Sequence, residues 1–184
     1  MDIFKFEVGH LLHEETGKTT EFSFDLAPDK KDFPEMNFSG NLSGEVTVMR
    51  VDNGVSVSVQ NLKASIIFDC QKCLKTFEKE LEIEEIERIF WENPTIERDD
   101  PTEFFQIDMK SQKIDISDML RQEIILHFPP VSVCSKSCKG LCSLCGANLN
   151  VEKCECKAVE DLKPLSILKE LYNGKTSGTQ TKDL

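Results

Sequence analysis

Residues 44–68 read GEVTVMRVDNGVSVSVQNLKASIIF, and their alternation decides the fold. Val46 and Val48 fall on one face of an extended chain, and Val55, Val57 and Val59 repeat the pattern after a break. The break is Asp52-Asn53-Gly54, and Asn-Gly suits the positive φ angles of a tight hairpin turn. Leu62, Ala64, Ile66 and Phe68 carry the alternation on. Upstream, TEFSFDL alternates Phe22, Phe24 and Leu26; downstream, Phe77, Leu81 and Ile83 do the same. The pattern predicts a meander of antiparallel strands, barrel-like, within a β-rich domain over residues 1–107.

Beyond it the periodicity changes. WENPTIERDDPTE (Trp91 to Glu103) is acidic and interrupted by Pro94 and Pro101, so it reads as a surface loop. A short strand pair is expected at Phe104–Asp108 and Lys113–Ile116. DISDMLRQEIILHF then gives a helix: Asp115 is a candidate N-cap, and Ile116, Met119, Leu120, Ile124 and Phe128 share a face. Pro129-Pro130 stops it at or near Phe128. Residues 108–130 thus form a strand and helix, and 131–160 a cysteine-rich module. A C-terminal helix follows over 161–172, capped by Asp161 and striped by Leu165, Leu168 and Tyr172, and then a tail over 173–184 without apolar pattern. The fold class is α+β.

The module holds six cysteines in 23 residues: Cys134/Cys138 as C-x3-C, Cys142/Cys145 as C-x2-C and Cys154/Cys156 as C-x-C. A second C-x2-C, Cys70/Cys73, lies far upstream in CQKC. The N-terminus MDIFKFEVGH has no signal-peptide character, and the longest apolar runs fall far short of a membrane span. A cytoplasmic location is the expectation. Thiols stay reduced there, so clustered cysteines point to metal or redox work rather than disulfides. Zinc favours four soft or borderline ligands, and four cysteines make a closed, structural site. Eight cysteines therefore predict two zinc ions. The expected partition is Cys142/Cys145 with Cys154/Cys156 and Cys70/Cys73 with Cys134/Cys138, although an interleaved pairing uses the same residues. Iron–sulfur is the alternative, but the ferredoxin-like cysteine run followed by proline is absent. CQKC alone as a redox dithiol would want a helix after it, and a strand pattern follows instead.

Formal net charge is −11, the wrong overall sign for holding nucleic acid by phosphate neutralisation. Locally the sign reverses. Residues 134–157 carry Lys136, Lys139, Lys153 and Lys157 against Glu152 and Glu155, which makes those lysines the candidate nucleic-acid contacts. The acidic run ELEIEEIE reads as the solvated face of a strand. No phosphate-binding loop, nucleotide fingerprint or nucleophile–base pair is present, and closed metal spheres offer no open position for catalysis. The expectation is a protein that is not an enzyme.

The string CQKCL, followed by KIDISDMLRQEIILHFPPVSVCSKSCKGLCSLCGANLN and CEC, resembles the YceD family, the large ribosomal RNA subunit accumulation proteins. Cys70 and Cys73 match the family's upstream pair, and the other six match an extended cysteine set that some branches carry. Two departures stand out: Asp161-Leu162-Lys163 replaces the usual Asp-Pro-Arg, and CSLC has serine where relatives often have proline. The resemblance implies a bacterial, cytoplasmic, non-enzymatic protein supporting normal levels of large-subunit ribosomal RNA. Its implied partner is ribosomal RNA or a large-subunit precursor, with no membrane and no small-molecule substrate. An adaptor whose acidic sheet recruits a basic ribosomal protein is the second hypothesis, and a redox or iron–sulfur protein the third.

Overall fold

The hairpin of residues 44–68 forms the centre of the sheet. The computed structural model describes residues 4–92 and 105–156. Within them β1 (Lys5–Glu7) and α1 (Gly9–Leu12) precede β2 (Thr19–Leu26), β3 (Phe38–Val51), β4 (Gly54–Asp69) and β5 (Thr76–Trp91). After these come β6 (Phe105–Gln106), β7 (Lys113–Asp115) and α2 (Ser117–Leu126). The β3–β4 turn sits at Asn53, whose φ of 61° is left-handed as expected, whereas Gly54 is not left-handed and already pairs with Val51 as the first residue of β4. Register then makes continuous apolar rows across the sheet, such as Phe22–Val46–Val59–Ile86 and Leu26–Leu42–Ala64–Leu81. Period-two alternation puts those side chains on one face, which α2 covers with Met119, Leu120 and Ile124, all buried in the same core.

The α+β class holds, and the barrel-like expectation does not. Strand order is β2-β3-β4-β5-β6, an open sheet in which β2 and β6 do not meet. The expected strand pair is also corrected. β6 runs parallel to β5 through Phe90↔Phe105 and Trp91↔Gln106, while β7 pairs antiparallel with β1. Among the described residues only the single bridge Asp108↔Lys113 joins the two stretches. Segments of two or three residues carry no readable period, so their partners are chosen by the core around them.

Helix α2 begins close to its predicted cap. Asp115 Oδ1 accepts hydrogen bonds from the Ser117 N–H at 3.0 Å and the Ser117 hydroxyl at 2.5 Å, with Ile116 in the N-cap position. It ends at Leu126 rather than Phe128. His127 closes it: its N–H donates to Glu123 O at 3.1 Å and its ring Nδ1 lies 3.0 Å from the same oxygen. Phe128 instead packs edge-on against Phe68 at 5.0 Å, pinning the chain beyond the helix to the end of β4.

The chain divides into two compact units, Met1–Gly140 and Leu141–Leu184. That boundary falls inside the stretch 131–160 read from the sequence as one module, so Cys134 and Cys138 belong with the sheet. The C-terminal helix at 161–172, the tail at 173–184, Lys157 and most of the acidic loop after Trp91 lie outside the described residues.

Two candidate metal centres

The first centre grows from the turn between β4 and β5. Cys70 ends that approach and Cys73 stands three residues on. The turn is closed by the Cys70 N–H donating to Lys75 O at 2.9 Å and the Leu74 N–H donating to Cys70 O at 2.8 Å. Onto it folds the segment after Pro130. The Gln71 N–H donates to Ser132 O at 2.8 Å, and Cys138 is turned inward by its own N–H bonding Ser135 O at 3.1 Å. Cys70 Sγ then lies 3.8 Å from Cys138 Sγ, and Cys73 Sγ lies 3.7 Å from Cys134 Sγ. Cys70, Cys73 and Cys138 are buried and Cys134 half-buried.

The second centre lies wholly in the second unit. The Cys142 N–H donates to Ala147 O at 2.8 Å, and the Gly146 N–H to Cys142 O at 2.9 Å. Asn148 returns the chain by accepting the Val151 and Glu152 N–H groups on its carbonyl, each at 3.0 Å, and the Asn150 N–H on its side chain at 3.0 Å. That brings Cys154 and Cys156 back to Cys142 and Cys145.

The two turns are the same knuckle. In each, the N–H of the first cysteine bonds the carbonyl five residues on, and the N–H four residues on bonds back to the first cysteine. In each, the residue after the second cysteine is left-handed: Gly146 at φ 73°, Leu74 at φ 58°. Glycine takes that conformation freely, whereas a leucine there is strained.

Electrostatics repeat too. Burial raises the Cys70 thiol, but the N–H groups of Cys134, Cys73 and Lys72, with the Cys73 side chain, outweigh it and lower the pKa to about 6. The N–H groups of Cys145 and Leu144, helped by the Cys154 and Cys145 side chains, lower Cys142 to about 6 as well. Their neighbours move the other way. Burial and the adjacent thiols of Cys73, Cys138 and Cys70 push Cys134 up to about 12. The Cys145 thiol, then burial, push Cys156 up to about 12. Cys73 is raised: the Lys75 N–H lowers it, but burial and the Cys70 and Cys138 thiols prevail. The Cys142 thiol raises Cys154 against the lowering N–H of Cys156. One sulfur in each group is prepared to ionise, and the crowding then opposes ionisation of others. A divalent cation relieves that opposition.

The donor sets fit such an ion. Within each group all four Sγ atoms lie within 4.8 Å of one another. A tetrahedron with Zn–S arms of about 2.3 Å has S–S edges of about 3.8 Å, which the 3.7 and 3.8 Å separations in the first group match. A disulfide would need about 2.05 Å, and all eight cysteines are free. The thiols are therefore grouped as the expected partition has them, and the interleaved alternative is not what the fold builds.

Of the candidate lysines, Lys136 and Lys139 are exposed on the segment that closes the first centre, and Lys153 is exposed in the second unit. Sequence reading overlooked Lys72 and Lys75, which flank Cys73 on the first knuckle. Their spacing on either side of Cys73 is visible in the sequence.

Fold and sites together define a class: an open-sheet α+β protein whose cysteines converge in two groups of four, each built on a C-x2-C knuckle. The chain belongs to the YceD family: the family described as "Large ribosomal RNA subunit accumulation protein YceD" matches residues 60–172, from within β4 through both cysteine groups. It is similar to the chloroplastic large ribosomal RNA subunit accumulation protein YCED homolog 1 of Arabidopsis thaliana, 42% identical over 62 residues, covering 32% of this chain and 19% of that protein. The Zea mays protein of the same name is 47% identical over 57 residues, covering 29% of this chain and 20% of that one. The alignments span about a fifth of the length of these curated relatives. No solved structure matches. Among the described residues no helix is long and apolar enough to cross a membrane.

Proposed function

We propose that this chain is a non-enzymatic factor supporting accumulation of large-subunit ribosomal RNA, acting in a reducing compartment such as the cytoplasm. Each four-cysteine group would hold one zinc ion: Cys70, Cys73, Cys134 and Cys138 the first, Cys142, Cys145, Cys154 and Cys156 the second. The carrying observation is the convergence of all eight thiols into two closed quartets in a chain of this family. When bound, zinc would supply cross-linking and charge neutralisation. With four protein ligands apiece, neither centre has an open position for a reacting group.

The chain's own residues then supply the contacts. Lys136 and Lys139 stand on the loop that the first centre fixes, and Lys153 on the second unit. Metal analysis of untagged protein is expected to return about two zinc ions per chain. A coloured protein containing iron would refute zinc while leaving the quartets in place. Ribosomal RNA crosslinked to the chain in cells, with salt-sensitive binding in vitro, is the test of the RNA contact.

One observation favours a second reading, an adaptor for a basic ribosomal protein. The sheet face opposite the core is a field of carboxylates: Glu78, Glu80, Glu82, Glu85 and Glu87 alternate along β5, with Glu45 on β3. Lys63 is ion-paired there with Glu82 at 3.4 Å. Recovery of a basic ribosomal protein whose binding survives nuclease treatment, and is lost when these glutamates become glutamines, would select the adaptor over direct RNA contact.

A further inference from the structure

We infer that the first knuckle is the RNA-contacting tip of the sheet unit, with Leu74 packing on an unstacked base while Lys72, Lys75, Lys136 and Lys139 hold the flanking phosphates. The inference rests on the RNA contact proposed above and names its surface. It begins from the comparison of the knuckles. Their hydrogen-bond frames coincide, yet the left-handed position is glycine in one and leucine in the other. Leu74 is 68% exposed, so burial within its own fold does not offset the unfavourable backbone. A strained residue that its own structure does not reward points to a role outside that structure. An apolar wedge against a nucleobase is such a role.

The charges around it suit the same occupant. Residues 70–75 and 131–140 contain four lysines and no carboxylate, in a chain with 33 acidic residues. The two stretches are far apart in sequence and held together here. Besides the thiol contacts and the Gln71–Ser132 hydrogen bond, Gly140 at φ 77° sits so close to the knuckle that a Cβ there would be 3.1 Å from Lys72 O and 3.6 Å from Lys72 Cβ. Lys139 is thereby brought beside Lys72. Among the described residues none of Lys72, Lys75 and Lys136 enters a salt bridge. A cationic ring around an exposed apolar tip fits a single-stranded or looped RNA segment, whose bases are free to turn outward.

The test uses the full metal-loaded chain with two probes: a mixed-sequence single-stranded RNA oligonucleotide and inorganic polyphosphate, which has charge but no bases. Leu74→Asn keeps a side chain that tolerates the left-handed backbone and removes the wedge. It is expected to weaken RNA binding roughly fivefold to tenfold, what losing some 50 Å² of apolar contact costs, with unchanged salt dependence and unchanged polyphosphate binding. Lys72→Ala with Lys75→Ala is expected to lower the salt slope by about 0.7 per lost phosphate contact for both probes. Leu74→Gly serves if the asparagine variant loses metal. RNA binding by the parent chain that both variants leave intact would overturn this surface and spare the RNA contact. Equal losses of RNA and polyphosphate in Leu74→Asn would overturn the base contact. Failure of the parent chain to bind RNA would overturn both this inference and the reading beneath it.

Discussion

Removing metal from the first centre should release residues 131–140 while leaving the sheet and α2 in place. Ordering about ten residues costs on the order of 10 kcal/mol in backbone entropy. Against this, the segment's one backbone hydrogen bond to the knuckle, Gln71 to Ser132, contributes about 1 kcal/mol. The remainder must come from the centre, and structural zinc sites supply about 10–16 kcal/mol. Helix α2 is not at risk, because Met119, Leu120 and Ile124 are buried in the core and Phe128 is packed on Phe68. A metal ion held there would also close a long loop, since Cys73 and Cys134 are 61 residues apart. By the loop-entropy relation such a link removes about 4 kcal/mol of disorder from the unfolded chain. The assay is trypsin digestion with mass spectrometry, before and after chelation. Cleavage after Lys136 and Lys139 should appear with chelator, together with alkylation of Cys70 and Cys73, while peptides from β3, β4 and α2 stay protected. If 131–140 remains uncut and the CQKC thiols are already reactive in metal-loaded protein, the centre does not hold this segment and the reasoning fails.

Other outcomes follow from single contacts. Gly146→Ala puts a Cβ into open space at φ 73°, so only the backbone suffers; a loss of about 1 kcal/mol is expected in urea unfolding at fixed free zinc. Gly140→Ala adds a 3.1 Å approach to Lys72 O and should cost more than Gly146→Ala; the reverse order would refute the close packing. Leu120→Ala, at a fully buried site, should cost about 2–5 kcal/mol by the same measurement. Glu123→Gln should cost about 1–2 kcal/mol by weakening the 3.0 Å bond from Arg88 that ties α2 to β5, and a double-mutant cycle with Arg88→Ala should show coupling.

The features legible in the sequence were those with local causes. Asn53 marks its own turn, and alternating valines dictate which face of β3 and β4 turns inward. The spacing of the cysteines foretold both knuckles, and the apolar stripe of α2 foretold which of its residues are buried. Features chosen by distant partners were not legible. β6 is two residues long and β7 three, and neither has a period from which a parallel or antiparallel neighbour could be inferred. Closure of the sheet was likewise a question of where its last strand lands. What the sequence did not signal at CQKC was the left-handed turn. Its left-handed residue is Leu74, so the glycine that marks the same position in CSLCG was missing as a signal.

The two knuckles also live on different clocks. In the second unit the closing cysteines follow Cys145 within a short stretch of chain, so that centre becomes complete soon after its first thiol exists. Cys70 and Cys73 must wait for Cys134, which emerges 61 residues after Cys73. At about 5–20 residues per second, synthesis leaves that pair as a bare dithiol for roughly 3–12 seconds. During that interval a stray oxidant could join the two sulfurs, and a chaperone or early-bound metal could guard them. The newborn chain, more than the finished protein, is therefore the stage at which oxidative stress would cut the yield of this protein.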